Sequence, residues 1–524
     1  MSNSKASLSS PFFAVPIMLV TAACMTFFHT SCSRQGSGVQ FHGPATEIRY
    51  GFSTEPATLD PLSPSNTADG RSILFNVFEG LVKPDTQGRV LPCLAESVTM
   101  DESGRVYYFK LRENLRFHDG SLLTSADVMF SLETAAAAGF HGFSGIEKIE
   151  APPFSEGPPS FEGDYDIRIT LKYPDPEFLP YLTVGIVKAG STGRDKNAVG
   201  TGPYYIESYT VQQSLVLRKF ADYRHGSIPQ LDKITIVFFA DADALTLGLH
   251  GGSIDGASLP GALAHQLSPG HFDIVPGYSA MVQLLALNNA VVPLNDIRVR
   301  EAINYGIDIQ QIIDTAFFGK GEPSGSPLIP GLSVYYEQSL TNPYPLNREK
   351  ALSLLSEAGY GEGGQKFSLE ITVPSSYTMH VDTAQVIADQ LAKTGINVSI
   401  KLVDWAAWLS DVYFGRGYQA TIISLDSPVV SPRGFLSRYH SGDDSNFINF
   451  SSAGFDRVYD EILAETDEDK RIALYKEAQK TISAGAASVY IQDILGFRAF
   501  RAGAYGGVLN YPLYVIDFAA MYGK

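Results

Sequence analysis

Strand-like and helix-like patterns alternate from one end of the chain to the other, and this alternation restricts the fold more than any single motif. Glu47 to Tyr50 reads as a short strand that runs into a turn marked by Pro56 and Pro61. Ser72 to Leu81 carries Ile73, Leu74, Val77, Phe78 and Leu81 at helical spacing, which predicts a helix with one apolar face. Val106 to Leu111 reads as a strand, and Asp119-Gly120 marks a turn after it. Thr124 is placed to cap the next helix, with Asp127 where a capping box needs its acid. Four prolines and two glycines between Ala151 and Asp164 mark a loop. Further on, Asn347 caps a helix striped by Ala351, Leu354, Leu355 and Ala358, and Gly359 ends it in a left-handed conformation. Val381 to Lys393 is amphipathic, and Asn397 to Leu402 alternates as a half-buried strand. The pattern predicts mixed α/β sheets covered by helices, and excludes an all-β or all-α protein.

The chain has 524 residues, room for roughly three domains of about 150 residues each. Hydrophobic residues make up 44% and charged residues 18%, which supplies buried cores. The formal net charge is -17, with no long basic run, so a phosphate backbone is repelled and nucleic acid is not an expected partner. The N-terminus reads as an export signal. Lys5 precedes an apolar run from Pro11 to Phe28, which His29-Thr30-Ser31-Cys32-Ser33-Arg34 cuts off. Cys24 and Cys32 each follow small residues, as a lipid-modified cysteine does. Cys32 is preferred, because cleavage there leaves the polar tether Ser33 to Gly38, whereas cleavage at Cys24 exposes Phe27 and Phe28. No later stretch has the 18 or so unbroken apolar residues of a spanning helix. Outside the signal the sole cysteine is Cys93, read as a small buried apolar residue.

Motifs for catalysis are missing. The ten histidines include no His-Glu-x-x-His pair, and His250, His265 and His271 follow no metal-ligand spacing. The glycines 359, 361 and 364 match a dinucleotide pattern, but follow a helix instead of joining a strand to one. A Gly-x-Ser-x-Gly elbow is absent. Acidic pairs such as Asp241/Asp243 and Asp443/Asp444 read as solvated loop charges. No enzyme, cofactor or resident metal is expected.

A series of blocks, in order, carries a resemblance. Glu55-Pro56-Ala57-Thr58-Leu59-Asp60-Pro61 opens it, followed by Asn76-Val77-Phe78-Glu79-Gly80-Leu81. Phe109 to Arg112, Phe117-His118-Asp119-Gly120 and Thr124 to Ser131 come next, then Gly200-Thr201-Gly202-Pro203-Tyr204 and Asp222-Tyr223. Asp296 to Asp308, Ala351 to Tyr360 and Asp404-Trp405 complete it. Each block has a structural reading of its own: His118 as a buried support in a hairpin turn, Arg298, Arg300 and Asp308 as salt-bridging residues at a helix start, Gly200 to Pro203 as a bend near a lobe crossing. Together they resemble the bacterial extracellular solute-binding proteins of the peptide/nickel group, the oligopeptide- and dipeptide-binding components of ABC importers.

The resemblance implies an α/β, two-lobed periplasmic-binding-protein fold of the large cluster, with an extra subdomain and the ligand cleft between the lobes. On that basis residues 1–31 are the lipoprotein-type signal peptide and 32–45 a flexible tether. Residues 46–275 are lobe I with an inserted subdomain at about 63–190, 276–485 are lobe II, and 486–524 return to lobe I. Crossings are placed near 270–285 and 483–495. It implies a monomer, lipid-anchored outside the cytoplasmic membrane, that passes a peptide to an ABC permease. Peptide-binding relatives hold the ligand backbone as an added strand and pair its ammonium with an acid. That acid's slot falls at Pro428 here, with Asp426 two residues earlier and Leu425 in place of the usual tryptophan. Either Asp426 takes the role after a local shift, or a free N-terminus is not anchored. Ser424, Leu425 and Asp426 are therefore candidate ligand residues. Trp405 is another, either walling a side-chain pocket or simply core, while Trp408 reads as packing. Ser65, Asn66 and Thr67 match the first-lobe edge that touches ligand in relatives.

Overall fold

The computed structural model describes residues 45–152, 166–223, 226, 228–361, 364–427 and 429–524. The signal, Cys24, Cys32, Pro428 and most of the proline-rich loop lie outside them.

Strand β1 (Glu47–Phe52) pairs parallel with two neighbours and is buried along most of its length, as parallel strands usually are. A short hairpin, β2 (Val82–Pro84) with β3 (Val90–Pro92), follows. Four strands then form a separate antiparallel sheet: β4 (Ala95–Met100), β5 (Val106–Leu111), β6 (Ile146–Glu150) and β7 (Ile167–Leu171), ordered β4-β5-β7-β6. The helix Ser125–Ala137 lies between β5 and β6, and its start has both halves of the capping box, Thr124 with Asp127. The chain next adds β8 (Tyr204–Thr210), β9 (Ser214–Lys219), β10 (Lys233–Phe238), β11 (Gly256–Pro260) and β12 (Phe272–Gly277).

The second large sheet takes β13 (Met281–Leu287), β14 (Glu322–Pro323), β15 (Phe367–Pro374), β16 (Ile396–Val403), β17 (Ala420–Asp426) and β18 (Ser488–Asp493), in the order β14-β18-β13-β17-β15-β16. Period-two alternation in β13 sends Val282, Leu284 and Ala286 to one core and Leu285 and Leu287 to another, so helices cover both faces. Strand β19 (Gly496–Arg501) then returns to the first sheet, which reads β12-β19-β11-β1-β10-β9-β8. The tail closes with the small pair β20 (Tyr505–Gly506) and β21 (Tyr522–Gly523). Ile516, Phe518 and Met521 of this tail join the first-lobe core, and Asn76 fixes it by donating to the Ile516 carbonyl at 2.9 Å and accepting from the Phe518 N–H at 2.9 Å.

The molecule is thus two-lobed, each lobe built on one large mixed sheet. The chain passes between the sheets at residues 278–280 and again at 494–495. There the two passages run side by side: the Ile494 N–H donates to the Met281 carbonyl at 3.2 Å, and the Ser279 hydroxyl donates to the Ile494 carbonyl.

Three local expectations change. The helix expected over 72–81 is Ala68–Leu74, capped by Thr67, and the chain turns through 75–77. The carbonyls of Asn76 and Val77, which a longer helix would use internally, instead accept from the N–H groups of Tyr204 (3.1 Å) and Gly202 (3.0 Å). The segment Gly200 to Pro203 is therefore docked on the first-lobe turn at 76–77. A Cβ on Gly200 would stand 2.0 Å from the Val77 carbonyl oxygen, so the approach requires glycine. Arg298 does pair with Asp296 at 2.6 Å, but Arg300 donates to the carbonyls of Leu294, Gly485 and Ala486, and Asp308 caps the helix Ile309–Ala316. His118 is a support: its ring bridges the Gly202 carbonyl (3.0 Å) and the Gly200 N–H (3.2 Å).

Candidate functional site

A cavity of about 1000 Å³ opens between the lobes, at the upper end of the range for small-molecule sites. The first lobe supplies its wall from the region around the helix Ala68–Leu74, from the loop Gly139 to Phe143 and from the tail Tyr511 to Ala519. The second lobe supplies Met281, Leu332, Asp426, Ser427, Val429, Val430 and Phe435. Ser279, Ala280 and Gly496, at the crossings, form part of the same wall. Phe75, Phe78, Phe140, Phe143, Phe435 and Tyr514 set aromatic rings into a mainly apolar surface.

Most acids in the wall are already engaged. Asp69 accepts from the Tyr514 hydroxyl at 2.7 Å and the Thr54 N–H at 3.0 Å; burial pushes its carboxyl up while those bonds pull it down. Glu79 accepts from the hydroxyls of Tyr223 (2.9 Å) and Thr201 (3.2 Å) and from the Cys93 thiol (3.6 Å). Burial, reinforced by Glu79, pushes the Cys93 thiol well up, so it stays protonated and unreactive. Asp517 accepts from the Tyr511 hydroxyl at 2.8 Å. Asp426 differs: its side chain is exposed and joins no ion pair among the described residues. Its carbonyl is held by Arg438 at 2.7 Å, which fixes the end of β17.

The structure brings Asn66, Thr67 and Asp426 into this one cavity. Thr67 accepts the Gly70 N–H at 2.9 Å as a helix cap; Asn66 is buried, donates to the Asp60 carbonyl at 2.9 Å and leaves Oδ1 without a partner among the described residues. Ser65, Ser424, Leu425 and Trp405 are not among the residues lining it. Ser65 bonds Ser63 at 2.8 Å on the exposed side of the loop. Ser424 has a buried hydroxyl with no partner among the described residues. Trp405 is 41% exposed, stacked on the buried Trp408 with ring centroids 5.1 Å apart and edge-on to Tyr377. Trp408 is packing, as expected, with its N–H given to Thr421 at 2.9 Å. Strand β17 pairs with β13 along its full length, but its register with β15 covers only Ala420 and Thr421. Continued in that register, β15 ends at Pro374, level with residue 423, so 424 to 426 lie past its end and, among the described residues, no strand pairs with that edge.

A second feature escaped sequence reasoning. Arg433 of the second lobe forks onto Asp175 of the first, at 2.6 and 3.1 Å, and also reaches the Tyr181 hydroxyl at 2.9 Å. Beside it Ser431 donates to Glu177 at 2.8 Å, and Arg471 stands 3.5 Å from the same carboxylate. These bonds tie the lobes together at the cavity rim. No group of three or more metal-ligating side chains occurs among the described residues, and no described helix is long and apolar enough to cross a membrane.

The comparisons with known proteins agree with this architecture. Residues 89–447 match the family described as bacterial extracellular solute-binding proteins, family 5, middle region. The chain is 28% identical over 438 residues to heme-binding protein A of Haemophilus influenzae, covering 78% of this chain and 79% of that one. It is 27% identical over 464 residues to glutathione-binding protein GsiB of Shigella flexneri serotype 5b, covering 84% and 87%. Among solved structures it superposes on HbpA2 of Haemophilus parasuis with a TM-score of 0.80 at 21% identity, over 91% of this chain and 100% of the other. A cleft walled by two sheet-based lobes, with family-level similarity across most of the chain, leads to one conclusion: this chain belongs to the family 5 bacterial extracellular solute-binding proteins, the ligand-capturing components of ABC importers.

Proposed function

We propose that the protein captures short peptides between its lobes and releases them to a membrane permease, without breaking any bond. The observation that carries this reading is the open edge of β17 ending at an exposed, unpaired Asp426 in the wall of the cleft. An extended ligand backbone can pair with such an edge whatever its side chains, and Asp426 is placed to receive its ammonium. Ser424 and Leu425 would then contribute backbone groups, and Ser65, Asn66 and Thr67 the facing edge; Trp405 would wall a pocket for a side chain further along. The similarity to a protein named for glutathione, itself a tripeptide, supports a short ligand.

Native mass spectrometry of the purified protein, screened against randomised dipeptides to pentapeptides, tests the reading. Retained peptide is the expected result; no retention across the set overturns it. Asp426→Ala should weaken the tightest peptide by about 2 kcal/mol, near thirtyfold, by loss of one charge-assisted contact. An unchanged dissociation constant would remove Asp426 from the site.

A second reading has an observation of its own. The aromatic wall, with the exposed imidazole of His141 edge-on to Tyr181 at 5.5 Å, also suits a flat or chelated cargo such as haem or a metal chelate, or a sugar stacked on a ring. A protein named for heme binding is among the relatives. Any retained peptide would decide against this alternative.

The same proposal includes export and lipid attachment at Cys32, with Cys24 as the alternative, and the division into lobes expected at 46–275, 276–485 and 486–524, with the last boundary moved to the crossing at 494–495 because β18 (Ser488–Asp493) belongs to the second sheet. Metabolic labelling with an alkynyl fatty acid in a bacterial host should mark the wild type and leave Cys32→Ser unlabelled. Label persisting in Cys32→Ser but lost in Cys24→Ser would transfer the anchor to Cys24.

A further inference from the structure

Two acids meet where the chain passes between the lobes. Asp493 closes strand β18, immediately before the return crossing at 494–495. In the sheet it stands opposite Val282 of β13 on one side and Glu322 of β14 on the other. Directly opposed residues of an antiparallel ladder point to one face, with Cβ atoms about 5 Å apart, and like charges in that arrangement destabilise it. Asp493 is fully buried, and neither of its carboxylate oxygens completes a hydrogen bond among the described residues. Glu322 is half-buried and faces the hydroxyl of Tyr278, the first residue of the outgoing crossing, whose ring packs over Gly331. Glu322 and Tyr278 are the titratable groups that act on Asp493 or feel its charge. His380 is bonded to Gln283, the neighbour of Val282 that points to the other face of the sheet. Cations do not offset the pair among the described residues. Arg498, packed against Gly277, gives its N–H groups to the Leu509 and Val515 carbonyls and to Asn510, and Lys320 lies over the Phe497 ring at 5.7 Å.

Two ionised carboxylates cannot share such a place without a counter-charge, so one of them holds a proton. Asp493 is the better holder. Burial pushes its carboxyl well up, the charge of Glu322 adds to this, and the neighbouring donors of Met281 and Ser279 offset only a part. Burial also raises Glu322, while Tyr278 draws it down. The place of the pair gives this proton a mechanical role, because Ser279, Ala280 and Gly496 of the adjoining crossings line the cleft.

We propose that Asp493 and Glu322 form a one-proton switch at the hinge, which takes up a proton from solvent as the lobes come together and returns it as they part. The switch belongs to the hinge and holds whichever ligand fills the cleft. Parting the lobes admits water from the cavity to Asp493, and hydration returns its carboxyl toward the ordinary range. The closed form therefore binds the proton more tightly, and protonation favours closure. This advantage is complete below the open-form pKa and is lost as pH rises through the closed-form value.

Two measurements on the ligand-free protein test the switch. Infrared spectra across a pH series should contain the carbonyl band of a protonated carboxyl at neutral pH, fading in alkaline solution and absent from Asp493→Asn. Small-angle scattering over the same series should show the radius of gyration of the wild type growing as the band fades. Asp493→Asn, neutral at every pH, should keep the compact value throughout. Glu322→Gln leaves Asp493 in place and removes the opposing charge, so the midpoint of the band should fall by about one pH unit or more, a readout that does not depend on the Asn variant folding. A wild type without the band at neutral pH overturns the switch. A radius that is constant across the series, or that grows equally in Asp493→Asn, overturns its link to the lobes. A midpoint unmoved in Glu322→Gln overturns the pairing of the two acids.

Discussion

Arg433→Ala is expected to let the lobes part and to lower stability by about 3 kcal/mol, the low end of what breaking a buried ion pair costs. The low end applies because the side chains of Arg433 and Asp175 retain 21% and 23% exposure. The guanidinium makes two bonds to Asp175 and one to Tyr181, and losing it strands the Asp175 carboxylate beside Glu177 at a half-dry rim. If the loss falls on the closed state alone, the closed-to-open ratio drops by about a hundredfold. Small-angle scattering should then show a larger radius of gyration for the ligand-free variant, and its Tm should fall by several degrees. Arg433→Lys restores the charge without the fork and should recover only part of both. Scattering curves and Tm values that match the wild type would show that these bonds do not hold the lobes.

The second large effect is acid lability, and it comes from two histidines that do not line the cavity. Burial lowers both His118 and His380 to a pKa of about 4. His118 takes the Gly200 N–H on Nδ1 and faces the Gly202 carbonyl through Nε2, an arrangement that suits the neutral ring. His380 accepts from Gln283 at 3.0 Å inside the second lobe. In the unfolded chain both take a proton near pH 6.5; in the folded chain they do not until about pH 4. The unfolded state therefore binds more protons across that interval, and stability declines as pH falls through it. Each histidine contributes a slope of about 1.4 kcal/mol per pH unit, or roughly 3 kcal/mol over the whole interval. The buried Asp493 acts oppositely, since burial holds its pKa well up and stability is lost as pH rises above the unfolded value. Urea midpoints between pH 7 and 4.5 should thus fall less steeply in His380→Gln than in the wild type. Parallel curves would show that His380 is not neutral in the fold.

Local structure was legible wherever a short pattern sufficed. The strand Val106–Leu111, the Thr124 capping box and the helix opened by Asn347 and closed by Gly359, at φ +88°, depend only on residues within a turn or two. The over-long helix at 72–81 failed because its ending is imposed from Gly202 and Tyr204, more than 120 residues away. The same reasoning explains the site. Asn66, Thr67 and Asp426 were found through motif resemblance, and the fold does bring them to one cavity. The bonds from Arg433 and Arg471 to Asp175 and Glu177 had no such signal. Their partners are separated by 258 residues in the case of Arg433 and Asp175, and neither end belongs to a recurring pattern. The tail from Tyr511 to Ala519 was equally silent, since only the first-lobe core it joins gives it a shape.

The paired passages at 278–280 and 494–495 have a mechanical consequence. Stitched to each other by the bonds of Ile494, they behave as a flat strap and not as two independent strings. A strap flexes easily across its face and resists shear within its plane. Such a strap favours a jaw-like swing of the halves about its own line over a twist of one half against the other.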